Sequence, residues 1–355
     1  SISNIVKLSI PIFFANLVIP LVAIVDTGLM GNLDNASYLT ATSIATSIFS
    51  LIFWSFGFLR MGTTGMVAQA HGSKNYNEIV NLVFRNIAFV ILISLLLILC
   101  QGYIFTIALN IFELSAETTK YFKEYFQIRI YSSFGELTIY IITGLFIGLQ
   151  RTIVSSVVVG FFSITNILLS LLFVIYFDLY VQGVALGTVI SSTLTAIIFL
   201  IYTFFELQKF TSIKLNVEKI FNLKKITKLF NINFDIFIRS AFLTFSFLFF
   251  TYLGNTISED VVAANTILLN LIMLSAFILD AYAFSTEGIV GYSIGSKDKK
   301  LLTNVIKNSF ILSATTGLLI SIFYLFGKNH FISIMTDLPD INNLSLSHSY
   351  WVVLI

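Results

Sequence analysis

Charge is what this sequence has least of. Asp, Glu, Lys and Arg make up 11% of its 355 residues, against about 25% in an ordinary soluble domain. That leaves too few to cover a water-facing surface of this size. Cysteine is nearly absent too: Cys100 is alone, so no internal disulfide can form, and its apolar setting reads as that of a small core residue. The three histidines, His71, His330 and His348, are scattered without metal-ligand spacing. The net charge of +2 gives no basic field for nucleic acid. No phosphate-binding loop is present, because Gly72-Ser73-Lys74 lacks the glycine and spacer that should precede it. ATP is therefore excluded as an energy source on sequence grounds.

What the chain has instead is apolar residues, 57% of the total with mean hydropathy +0.93. They fall in runs of about 20 residues, the length that crosses a bilayer. The runs predict nine spans, at 8–31, 41–70, 87–109, 126–149, 153–176, 181–205, 232–255, 261–292 and 303–327, with a tenth opening near 346. The first run is too long for a signal-peptide core and lacks a cleavage pattern, so it is expected to be an uncleaved span. The sequence opens without methionine and stops inside an apolar run at Trp351 to Ile355, which reads as a fragment.

Basic residues cluster on alternate loops. Lys7, Lys74, Arg85, Arg151, the 206–230 segment (Lys209, Lys214, Lys219, Lys224, Lys225, Lys228) and Lys297, Lys299, Lys300 and Lys307 share one side. Asp34, Glu113, Glu117, Asp178, Glu259, Asp260, Asp337 and Asp340 mark the other, with Lys120, Lys123 and Lys328 as exceptions. The positive-inside rule then predicts a cytoplasmic N-terminus.

The longest polar connection divides the sequence into 1–206, a linker at 207–230, and 231–355. A shift of 223 residues lays the second part on the first without a gap. Gly31-Asn32 meets Gly254-Asn255, Thr63 meets Thr286, Gly65 meets Gly288, and Gly72-Ser73-Lys74 meets Gly295-Ser296-Lys297. Six spans separate the copies, so both face the same way: a parallel repeat about an axis along the membrane normal. By symmetry the second half should also hold six spans, and it is incomplete here. The predicted fold is all-α, a polytopic transmembrane bundle of two six-helix lobes with the second truncated.

Val25-Asp26-Thr27, Phe58-Leu59-Arg60-Met61-Gly62-Thr63-Thr64-Gly65 with Ala68-Gln69-Ala70, Val181-Gln182-Gly183-Val184-Ala185-Leu186-Gly187, and Leu279-Asp280-Ala281-Tyr282 with Glu287 together resemble the multidrug and toxic compound extrusion (MATE) family, in its DinF-like branch. The resemblance implies twelve spans in two lobes around a cavity that opens alternately to each side. It also implies export of amphipathic, often cationic compounds driven by inward H+ or Na+. The family commonly has an Asn and, four residues later, an Asp on span five. Here Asn166 is followed by Ser170, which removes one carboxylate from the N-terminal site.

Charges within spans need a reason, since each costs at least about 2.5–3.5 kcal/mol to insert. Asp26 follows Pro20, which frees the carbonyl of Asn16 and can kink the first span. It is a candidate ion-coupling carboxylate or an interfacial, solvated Asp. Asp280 and Glu287 lie seven apart on one helical face, with Arg60 and Arg239 as candidate counter-ions. They are further coupling candidates, or members of a structural ion pair. Arg129 and Glu136, also seven apart, read as structural or gating, with Arg129 free to snorkel. Asp235 and Arg239 read as a local i, i+4 pair. Asn166, Thr63, Thr64, Gln69 and Tyr282 are candidates for the ion site and substrate cavity, against routine interhelical bonding by such residues. None of the 37 phenylalanines can be singled out as a cation-binding surface.

The expected function is a cation-coupled antiporter of small organic cations, monomeric, in a bacterial inner membrane, with no cofactor beyond H+ or Na+. A flippase for lipid-linked oligosaccharides or a polysaccharide exporter of the same superfamily remains open, although four intramembrane acids against three arginines disfavour it. An intramembrane enzyme is disfavoured because no histidine lies deep in a span. A passive channel is disfavoured by the duplicated lobes without a filter-like loop.

Overall fold

The computed structural model describes residues 2–112, 114–212, 217–336 and 339–354. The charge placements expected at Glu113, Lys214 and Asp337 lie outside the described residues, as do the side chains of Lys219, Asn255 and Glu259. Among the described residues the chain is helical with no strand. The helices are α1 (Ile2–Gly31), α2 (Ala36–Ser55), α3 (Phe58–Gly72), α4 (Tyr76–Leu99), α5 (Gln101–Ile111), α6 (Ala116–Arg129), α7 (Ser133–Gly148), α8 (Thr152–Leu171), α9 (Tyr180–Gln208), α10 (Val217–Ile220), α11 (Leu223–Ile257), α12 (Glu259–Gly295), α13 (Lys299–Met335), α14 (Pro339–His348) and α15 (Tyr350–Leu354).

Among the described residues, eight helical stretches are long and apolar enough to cross a membrane. The seventh expected span, 232–255, falls inside the 35-residue α11. The second and fourth expected spans are each two helices. Phe56–Gly57 separates α2 from α3, and a 3₁₀ turn at Ile130–Ser132 separates α6 from α7. Neither break shows in a hydropathy window, which averages over the few residues that interrupt each apolar run. Near the C-terminus the helix begins at Pro339, seven residues before the expected 346, and is interrupted at Ser349. Pro11 and Pro20 are both accommodated inside a continuous α1. Cys100 is exposed at the junction of α4 and α5 rather than buried in a core.

Side-chain caps start six of the helices. Asn35, Asn75, Ser115, Asn222, Ser258 and Asp298 each accept an N–H from the first turn that follows. The repeat shows in these details. Asn35 and Ser258 are 223 apart, as are Asn75 and Asp298. At the Gly-Ser-Lys turns, Lys74 N–H bonds His71 O and Asn75 N–H bonds Ala70 O. Lys297 N–H bonds Ile294 O and Asp298 N–H bonds Ser293 O. Both turns end their helix in a Schellman motif with a left-handed lysine, φ 58° and 59°. Asn86 donates to Thr63 Oγ1 at 3.0 Å, and the equivalent pair, Thr286 and Ser309, bonds at 2.8 Å.

The N-terminal core centres on α7, whose stretch is the most enclosed of the eight. Its glycines let neighbours approach: a Cβ on Gly144 would stand 2.5 Å from Arg60 O, and one on Gly148 2.8 Å from Thr64 O. The 207–230 segment is tied to the N-terminal helices by Lys225–Glu78, Thr211–Asn77, Arg85 donating to Ile220 O, and Tyr76 stacked on Phe210. A smaller core joins Ile267, Leu271, Tyr324 and Ile332 of α12 and α13. The first half of α1 crosses over to them, with Ile5 packed against Ile289 and Val305 and Ser9 bonded to Ser285 at 2.7 Å.

Candidate functional site

Three places hold charge or uncommitted polar groups inside the bundle. The first lies where α1 meets α8. Asp26 is half-buried on α1, and its Oδ1 has no hydrogen-bond partner among the described residues. Ser170, fully buried on α8, and the field of Arg129 both act on the Asp26 carboxyl. Ser170 Oγ is itself unpartnered. One turn back, Asn166 donates to Thr188 Oγ1 at 2.9 Å and leaves Oδ1 unsatisfied. Buried polar atoms are normally bonded, so three orphan oxygens on the packed pair α1 and α8 mark a place suited to a proton or cation. Gly187 makes room: a Cβ there would lie 2.9 Å from Ser170 Oγ. Beyond Ser170 the helix widens into a π-turn at Leu172–Tyr176, a distortion frequent at functional sites. A cavity of about 520 Å³ opens beside it, lined by Val25, Gly28, Asn32, Leu171, Val174 and Asp178 among others.

The second place is inside the N-terminal helices. Arg129 pairs with Glu136 and donates to Ser132 across the 3₁₀ turn. The rings of Phe49 and Phe53 face its guanidinium at 5.1 and 5.2 Å. The expected seven-residue relation is thus a formed, largely enclosed ion pair, and Arg129 does not snorkel outward.

The third place lies between the two parts of the chain. Arg60 of α3 reaches Glu287 of α12 at 3.6 Å and stacks over Phe284 at 3.7 Å. Asp280 is exposed on the same face of α12, within the field of both Arg60 and Arg239. Arg239 turns toward Met61 Sδ, 3.9 Å away, and among the described residues it forms no ion pair with Asp235. The expected local pair is therefore absent, and Arg239 lies instead within the field of Asp280 and Glu287 on α12.

Below this cluster, toward the Lys-rich loops, α3 and α12 close on each other through small residues. A Cβ on Gly291 would stand 2.6 Å from Ala68 Cβ. One on Gly295 would collide with Gln69 O, and one on Gly72 with Tyr292 O. No ligand wider than a backbone passes there.

The remaining sequence candidates lie elsewhere. Thr63 and Thr64 are buried in the seam of α3 with α4 and α7, their hydroxyls bonded to Leu59 O and Arg60 O. They face packing rather than Asp26, because α3 turns that face to the glycines of α7. Gln69 is exposed at the Lys-rich end. The Tyr282 hydroxyl accepts from Thr316 at 3.5 Å, pointing into the α12–α13 seam. Phe284 was hidden among 37 phenylalanines, although its place four after Asp280 and three before Glu287 puts it on the acidic face. Glu78 and Glu206, which neutralise Lys225, Arg151 and Lys209, were missed because loop tallies count lysines and overlook acids just inside helix ends.

The MatE family model matches residues 11–172 and 236–355. The chain is 31% identical over 350 residues to the DNA damage-inducible protein F of Escherichia coli, covering 98% of this chain and 76% of that protein. It is 21% identical over 236 residues to the multidrug export protein MepA of Staphylococcus saprophyticus, covering 66% and 52%. Among solved structures, a MATE transporter in its straight conformation superposes with a TM-score of 0.87 at 17% identity, covering 99% of this chain and 79% of that one. A multidrug resistance MATE transporter in an outward-facing conformation gives 0.85 at 17% identity, covering 99% and 79%.

Proposed function

Since this chain belongs to the MatE family of multidrug and toxic compound efflux transporters, a family of multi-pass membrane proteins, we propose that it exports amphipathic or cationic organic compounds by antiport with H+ or Na+. The observation that carries this reading is the orphan carboxylate of Asp26 beside the unpartnered oxygens of Ser170 and Asn166. A carboxylate with free oxygens around it accepts a proton or a small cation, and losing or gaining that charge changes how α1 packs on α8. Asp280 and Glu287 supply a second set of carboxylates, for which the coupling ion and a cationic substrate compete. The Lys-rich loops support an N-terminus on the cytoplasmic side of a bacterial inner membrane. On that assignment the glycine seam of α3 and α12 seals the cytoplasmic side, and the cavity beside α8 opens outward. Energy comes from the ion gradient, about 2.3 kcal/mol per charge per 100 mV of membrane potential. The protein works as a monomer without a bound cofactor.

A flippase for phosphate-linked lipids would want an uncompensated basic cavity. Here Arg60, between the two parts, is already faced by Glu287, and Arg239 lies in the field of Asp280 and Glu287, which favours the cation reading. The test is efflux of ethidium or tetraphenylphosphonium from vesicles holding the protein, with pH and Na+ gradients imposed separately. Efflux should follow one gradient and lose that dependence in Asp26→Asn, with Asp280→Asn weakening cation export. Efflux indifferent to both gradients rejects antiport. Unchanged coupling in Asp26→Asn moves the coupling site away from α1.

A further inference from the structure

Arg60 occupies its place in an unusual manner. Its guanidinium carbon sits over the Phe284 ring, 3.7 Å from the ring centre, and Nη1 lies 3.6 Å from Glu287. Phe284 and Glu287 are three apart on α12, so ring and carboxylate share one face. An aromatic face plus a carboxylate is how proteins hold planar organic cations, and here the cation is the protein's own. The hold is loose. At 3.6 Å the ion pair is longer than a hydrogen bond. Nη1 is buried yet has no hydrogen-bond partner among the described residues, where a guanidinium normally commits its donors in a bidentate fork. Stacking and charge alone keep it there, and any flat organic cation offers both. Departure forfeits no hydrogen bond from that nitrogen. Asp280, two helical turns away on the same face and exposed, gives the displaced guanidinium another carboxylate to approach.

We infer that Phe284 and Glu287 form the binding subsite for the cationic group of the exported compound, and that Arg60 fills it as a stand-in until a planar, charge-delocalised cation displaces it toward Asp280. This rests on the export reading and adds the substrate class: flat cations of guanidinium, amidinium or fused aromatic type, ahead of tetrahedral ones. Arg60 then sets specificity, since a substrate must stack at least as well as a guanidinium to enter.

The test is equilibrium binding with the full chain in detergent, at pH 8 and without any gradient. It compares ethidium, a flat cation, with tetraphenylphosphonium, a tetrahedral one. Arg60→Met should bind ethidium about ten-fold tighter than the unmodified protein, a change of about 1.4 kcal/mol. Adding Glu287→Gln or Phe284→Leu to it should abolish the gain. Tetraphenylphosphonium should gain less than ethidium. Arg60→Lys keeps the charge but stacks poorly, so it should bind ethidium about two- to three-fold tighter. It carries the test if Arg60→Met is not monodisperse. Unchanged or weaker ethidium binding in the folded Arg60 variants overturns the inference, as does a gain that survives Glu287→Gln. Because no gradient is used, the expected binding pattern alongside uncoupled efflux would count against antiport alone.

Discussion

Arg129–Glu136 and Arg60–Glu287 are both arginine–glutamate pairs within the spanning region, yet their surroundings differ. The first is seven residues apart in sequence, within one helical stretch broken by a single 3₁₀ turn, with Ser132 and two phenylalanine rings completing the shell. The second joins residues 227 positions apart, from helices of different halves, at a distance too long for a hydrogen bond. Glu136 is 16% exposed and Glu287 28%. A buried pair that is fully bonded resists change; one that is merely adjacent can be exchanged for another partner. The contrast assigns the first to holding the fold and the second to the working cycle.

Removing one partner is the most direct way to break that contrast. Arg129→Met leaves Glu136 buried without its cation and is expected to cost about 3–5 kcal/mol. That would appear as a steep fall in melting temperature or loss of monodisperse protein in detergent, and Arg129→Met with Glu136→Leu should recover much of it. A result no worse than for Arg60→Met would erase the distinction.

The glycine seam comes next. Gly295→Leu forces a side chain onto the backbone of Gln69, at an expected cost of about 1–3 kcal/mol from overpacking. It should also part α3 from α12. Ala68→Cys in a Cys100→Ser background should then react faster with a water-soluble thiol reagent, and equal labelling with and without Gly295→Leu would show that the seam is not the seal.

Glu287→Gln should be mild for stability, under about 1 kcal/mol, as for partly exposed pairs. Thermal unfolding checks it, and a loss matching Arg129→Met would make both pairs structural. The smallest effects test the repeat. Lys74→Gly and Lys297→Gly each relieve a left-handed backbone worth roughly 1 kcal/mol. Both should raise the melting temperature, and by similar amounts if the two turns are equivalent.

Much of the fold was legible because lipid imposes a simple rule. Spans must be long and apolar, so the runs predicted their approximate places. The 223-residue shift predicted Gly-Ser-Lys turns that do match hydrogen bond for hydrogen bond. The break at Phe56–Gly57 was not legible, because it leaves the composition largely apolar while ending one helix and starting the one that carries Arg60. Thr63 and Thr64 misled for a related reason: hydroxyls suggest a cavity, but the glycines of α7 absorb that face into packing.

The sequence by itself determined that this is a membrane-spanning, helical, duplicated chain with a few costly charges on particular helices, since hydrophobic length and spacing are properties of the linear chain. Which charges meet was decided only by tertiary structure. Asp26 faces Ser170 and Arg60 faces Phe284 and Glu287 because of helix rotation and crossing, and those depend on where glycines let backbones touch, a contact between residues far apart in sequence.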